Sequence, residues 1–122
     1  MRIFLTKPMA RFVRHENLKA AGVLDAVERA ERGQIDADLG GGLIKQRIAR
    51  KGKGRSGGYR TIIAYRRAGR AVFLHGFAKS ERENIEPHEL IELRKIGSNW
   101  LNATDEVIAE SLAQKLLEEV AP

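Results

Sequence analysis

The chain has 122 residues, no cysteine, a formal net charge of +6 and a pI near 10.0, with 43% hydrophobic and 31% charged residues. That length fits one domain with a single modest core, and the lack of thiols excludes a disulfide framework, a thiol nucleophile and a thiolate metal site. No apolar run is long enough to span a membrane, and MRIFLTKP is too short and too interrupted by Lys7 and Pro8 for a signal peptide, so the cytoplasm is the expected compartment.

Arg2–Leu5 alternates and is β-prone, which predicts a first strand. Thr6 is placed to cap a helix that carries Pro8 in its first turn, where a missing N–H does no harm. Met9, Phe12 and Val13 then fall at helical spacing. Asn17 is the expected cap of a second helix. Its apolar stripe is Ala20, Val23, Leu24, Val27 and Ala30, its outward face carries Glu28, Arg29, Glu31 and Arg32, and Gly33 stops it. IDADLGGG reads as a loop. Leu43–Ile48 reads as a half-buried strand with Lys45 and Arg47 on one face. A basic glycine loop, GKGRSGGYR, follows. Tyr59–Arg66 and Ala71–Ala78 form a predicted hairpin that turns around Gly69. Glu86–Pro87 opens a helix with Leu90, Leu93 and Ile96 in line, ending near Gly97. Thr104 or Asn102 caps a last helix through Ile108, Leu112 and Leu116. The predicted order is β-α-α-β-β-β-α-α. It describes a small α+β domain over residues 1–122, with helices on one face of a mainly antiparallel sheet and a C-terminal helical extension from about residue 99.

The charge is unevenly distributed. Leu39–Ser80 holds eleven Lys/Arg and no Asp or Glu, whereas residues 81–122 hold four basic and ten acidic side chains. A basic excess confined to the middle third is the pattern of a phosphate-binding footprint, although a solvated face balanced by the acidic C-terminal part has the same composition. Hydrolytic metal sites want clustered carboxylates or histidines, and His15, His75 and His88 sit on three different predicted elements. GGGLIK and GKGRSGG lack the Walker spacing and lead into no helix.

Arg60 shares a strand face with Ile62 and Ala64 by period-two alternation. It is therefore either a cleft arginine or the partner of a glutamate from the C-terminal helices. Lys79 and Arg82 follow the second hairpin strand and are expected at an edge of that face. Lys45 and Arg47 are either backbone contacts or a solvated edge that resists aggregation. Tyr59 and Tyr65 could stack on bases or pack the hairpin. His75, alternating with Phe73 and Phe77, is expected opposite Val72 and Leu74 as a structural histidine. Such a cluster can bind RNA, and it can also assist cleavage. The 2′-hydroxyl brings its own nucleophile, so the protein need only hold the strand and stabilise charge on the phosphorane.

The succession of a basic strand, RSGGYR opening the next strand, a hairpin and then FAKSERENI resembles the RelE/ParE superfamily of bacterial toxins. The phrasing is most similar to its HigB-like, phage-derived branch. The likeness covers about Arg2 to Ile96 and is specific between Asp36 and Ile85. It implies a RelE-like fold and the toxin of a type II toxin–antitoxin pair. It further implies an endoribonuclease that cleaves mRNA at the ribosome with no metal or other cofactor, and a cognate helix-turn-helix, HigA-like antitoxin. By motif Arg60 matches the arginine that contacts the scissile phosphate, and Lys79 and Arg82 match the basic residues of a G-K-x-E-R segment. Lys45, Arg47, Lys51, Lys53 and Arg55 fall in the variable basic strand and loop, and together with Tyr59 they make the expected RNA-contact set. Ser80 stands where many members have a second basic residue, and Glu86 falls near the tyrosine some members use. The alternatives from the same residues are a ParE-like topoisomerase inhibitor and a non-catalytic RNA-binding module.

Overall fold

The structure, a computed structural model, describes residues 1–50, 54–79 and 84–121, with residues 54–56 described by their backbone. Its elements in chain order are β1 (Arg2–Thr6), α1 (Lys7–His15), α2 (Ala20–Glu31), β2 (Ala37–Gly40), β3 (Leu43–Arg50), β4 (Gly54–Arg66), β5 (Arg70–Ala78), α3 (Pro87–Asn102), α4 (Asp105–Ala113) and β6 (Leu117–Glu119). The six strands form one sheet in the order β2-β3-β4-β5-β1-β6. Every pairing is antiparallel except β1 with β5. The α+β class and the β3-β4-β5 meander agree with the sequence reading.

The helices do not keep to one face. Ile3, Leu5, Ile44, Ile48, Tyr59, Ile63 and Phe73 pack under α1 and α2 with Met9, Val23 and Val27. The alternate strand residues Phe4, Leu43, Ile62, Ala64, Val72 and Leu74 pack with Leu101 of α3 and Ile108 of α4. Both faces of the central strands are apolar, so one layer of helices would have left one of them wet. Residue 99, the expected start of a helical extension, lies inside α3.

Gly97 lies within α3 and does not end it. A Cβ there would come within 2.7 Å of Leu43 Cδ2 and 3.2 Å of Ala64 Cβ, so the glycine lets the helix backbone approach the sheet closely. The start of α3 is built by a capping box between Glu86 and Glu89, with Pro87 in the first turn. Thr104, not Asn102, caps α4 by accepting from the Val107 N–H at 3.1 Å.

Local expectations also shift at α1 and α2. Thr6 holds the N-cap position of α1, but its hydroxyl donates across the sheet to the Leu74 carbonyl at 3.2 Å. Asn17 sits in the turn with φ 55°, which asparagine tolerates, and Lys19 takes the N-cap position of α2. Arg29, expected to face water, is 4% exposed.

Part of IDADLGGG is the edge strand β2, which turns into β3 through Gly40, Gly41 and Gly42 at φ 77°, 62° and 82°. The basic glycine loop is shorter than expected, because β4 already begins at Gly54 and runs through RSGGYR. Leu116 lies beyond α4 and is exposed, and the next residue, Leu117, is buried where β6 returns to pair with β1.

Candidate nucleic-acid interface

The described cations of the acid-free stretch divide into separate groups. Arg66 and Arg70 serve the fold. Arg66 donates to the Leu101 carbonyl at 3.0 Å, and Arg70 donates to the carbonyls of Trp100 and Ala103 at 2.7 and 2.8 Å. Trp100 and Leu101 belong to the last turn and Ala103 is the C-cap, so the two arginines lash the end of α3 to the hairpin. Asp105 adds an ion pair to Arg70 at 3.4 Å. Arg50 lies over the Tyr59 ring, 5.5 Å from its centroid.

A second group gathers on the α3 face. β-Pairing sets Arg47 directly opposite Arg60, Lys45 opposite Ile62, and Phe77 opposite Arg60 from the other side. Opposed residues lie about 5 Å apart at Cβ, and like charges so placed destabilise a sheet. Arg60 is only 9% exposed, with Arg47 and Phe77 its cross-strand neighbours. Lys79 follows immediately: its N–H bonds the Gly58 carbonyl at 3.2 Å, which carries the β4–β5 ladder one step past Ala78. The close contact of α3 with Ala64 lies four residues along β4 from Arg60, or about 13 Å. So the apolar half of this face carries the helix and the other half carries the cations.

His75 joins this group through a bulge. Ile62 pairs with His75 and Ile63 with Phe73, so Leu74 is the extra residue in β5. The slip turns His75 to the face of Ile62, not to the face opposite Leu74 as simple alternation predicts. Its ring lies 5.9 Å from that of Phe77.

Tyr59 is on the other face, 3% exposed, with its ring edge-on to Phe12 at 5.5 Å. Burial and a hydrogen bond to Glu16 push its phenol up. It is a core residue and leaves the RNA-contact set. Tyr65 is likewise engaged, donating to Glu31, with its phenol pushed up to about 12 by burial and that bond. A cavity of about 730 Å³ lies beside Tyr59, lined by His15, Glu16, Lys19 and Arg50, on the face away from Arg60. Lys51, Lys53 and Arg82 lie outside the described residues, as does the side chain of Arg55; its backbone is in β4. Glu86, near the expected tyrosine position, is occupied as the N-cap of α3.

Two site residues were missed in the sequence. Asp36 folds back onto the acid-free strand and accepts from the Arg47 N–H at 2.7 Å and from Arg47 Nη2 at 3.1 Å. These bonds and the nearby Arg29 outweigh desolvation and hold its carboxyl below the usual range. The buried Arg29 reaches Asp25, Asp36 and the Arg47 carbonyl. The i,i+4 spacing of Asp25 and Arg29 is visible in the sequence, but it reads equally well as a surface pair.

The neighbouring strands β3 and β4 thus carry Lys45, Arg47 and Arg60 on one face. The family model described as the RelE toxin of the RelE/RelB toxin–antitoxin system matches residues 1–120. The chain therefore belongs to the RelE toxin family, which gives it a toxin role and implies a cognate antitoxin. No curated protein matches it significantly. Among the described residues no helix is long and apolar enough to cross a membrane.

Proposed function

We propose that this toxin is a ribosome-dependent mRNA endoribonuclease that arrests translation in the cytoplasm. The observation that carries the reading is the cross-strand pair Arg47–Arg60, with Lys45 and Lys79 beside it, in a member of the RelE toxin family. A planar guanidinium binds phosphate through two parallel hydrogen bonds, and two arginines opposed on neighbouring strands bring two such groups to one face.

In this reading the RNA 2′-hydroxyl attacks the adjacent phosphorus and the 5′-oxygen of the next nucleotide leaves. Arg60, fixed by β4 and packed beside Phe77, stabilises the charge that grows on the phosphorane. Lys79 and Arg82 share that work, and Lys45, Arg47, Lys51, Lys53 and Arg55 hold the backbone. The mechanism needs no metal. The ribosome contributes by holding the message in line for attack. RSGGYR and FAKSERENI support the finer assignment to the HigB-like branch, with a helix-turn-helix, HigA-like antitoxin.

The test is induction in growing cells with mapping of message ends. The wild-type protein should stop growth and leave new 5′ ends within translated frames, and Arg60→Ala should do neither. Growth arrest with intact messages and impaired DNA supercoiling would favour topoisomerase inhibition, and normal growth with RNA binding would favour a non-catalytic module.

A further inference from the structure

We propose that Asp36, held by the buried Arg29, is a positioning residue that sets the geometry of Arg47 beside Arg60. The inference rests on the RNA-cleaving reading above.

β2 ends its pairing with β3 at the Ala37–Lys45 step, so Arg47 lies where β3 has no outer strand. Its two backbone groups are satisfied by side chains. Asp36 Oδ2 accepts from the Arg47 N–H, and Arg29 Nη2 donates to the Arg47 carbonyl. Capping an open edge would need no more than this.

The arrangement goes further. The other oxygen, Asp36 Oδ1, accepts from Arg47 Nη2, so one carboxylate grips the backbone and the guanidinium of the same residue. Arg47 Nε is buried and makes no hydrogen bond among the described residues. The anchor is itself fixed. The Arg29 side chain is 5% exposed and lies 3.5 Å from Asp36 Oδ2, and the Asp36 N–H donates to Gln46 Oε1 at 2.7 Å. The chain of contacts thus runs from α2 through Asp36 to one member of the arginine pair. Orienting a flexible guanidinium in advance spares the reorganisation it would otherwise need as charge develops on the phosphate, so the benefit falls on the rate at saturation more than on binding.

A double-mutant cycle tests this, using the full-length toxin on ribosome-bound message under single-turnover conditions. Asp36→Ala should lower the cleavage rate at saturation at least tenfold while changing the half-saturating concentration less than threefold. In an Arg47→Ala background the same change should have almost no further effect. Asp36→Asn, which keeps the shape and one acceptor, should recover part of the rate, and Asp36→Glu should not. Should Asp36→Ala weaken folding, the background comparison still decides, because a general loss of structure lowers the rate equally with or without Arg47. Additive effects, or equal loss in both backgrounds, would overturn the positioning role. If the wild-type toxin cleaves no ribosome-bound message, the parent reading fails and this one with it.

Discussion

Tyr59 and Arg60 are consecutive and do opposite work, because neighbours on a strand face opposite sides of the sheet. Arg60 is turned to the cationic face and Tyr59 to the core beneath α1. Tyr59→Phe should therefore leave growth arrest intact while costing about 1 kcal/mol in urea unfolding, the usual worth of one hydrogen bond. A loss of toxicity without loss of stability would return Tyr59 to the RNA-contact set. Tyr65 and Glu31 set an acid limit. The bond from Tyr65 holds the Glu31 carboxyl below its ordinary value of 4.5. A carboxyl depressed in the folded state stabilises the fold above its unfolded pKa, and that contribution is lost as pH falls through the folded value. Stability should thus decline below about pH 4.5, and Tyr65→Phe should make that decline shallower. An unchanged acid limb in thermal unfolding would show that the bond does not form in solution.

Turns and helices carry their own tests. The β4–β5 turn has its left-handed residue at Ala68, φ 55°, and not at Gly69. Ala68→Gly should relieve about 1 kcal/mol of strain, less the added freedom of the unfolded chain, and raise the melting temperature. The Ala68 N–H bond to Glu31 survives the change, since it is a backbone donor. Gly97→Ala should go the other way. Alanine gains about 1 kcal/mol in helix propensity, but a Cβ crowding Leu43, Ala64 and Leu74 at once should cost about 1–3 kcal/mol. A more stable Gly97→Ala protein would show that α3 can lift off the sheet.

The same elements explain what the sequence could and could not show. The long strands and α2 were legible because their apolar residues repeat over many positions. β2 and β6 have four and three residues, too few for alternation to register, and β6 is mostly charged. Gly97 resembled a helix stop because a sequence does not reveal which backbones approach closely. The basic face was legible in the run that includes Lys45, Arg47, Arg60 and Lys79. Its acid was not, because Asp36 precedes the acid-free stretch and reaches it only through the β2–β3 turn.

For the molecule as a whole, charge must be sorted by place before it is counted. Arg66 and Arg70 lash α3 to the hairpin, so their replacement by Gln should lower stability and leave the salt dependence of RNA binding unchanged. Lys45→Gln and Lys79→Gln should each reduce the log–log salt slope by about 0.7, the value of one phosphate contact on a single strand. Equal effects from both groups would mean that RNA meets a diffuse positive surface instead of one face. In the proposed function Arg60 acts on the scissile phosphate and does not merely attract RNA. Single-turnover cleavage of a ribosome-bound message by the wild-type toxin and by Arg60→Ala, with circular dichroism and ribosome binding measured on the same samples, tests it most directly. Arg60→Ala should fold, bind ribosomes nearly as well and cleave at least about a hundredfold more slowly, the loss typical of removing one preorganised donor. Cleavage by Arg60→Ala at the wild-type rate, or a loss matched by an equal loss of binding, would contradict it.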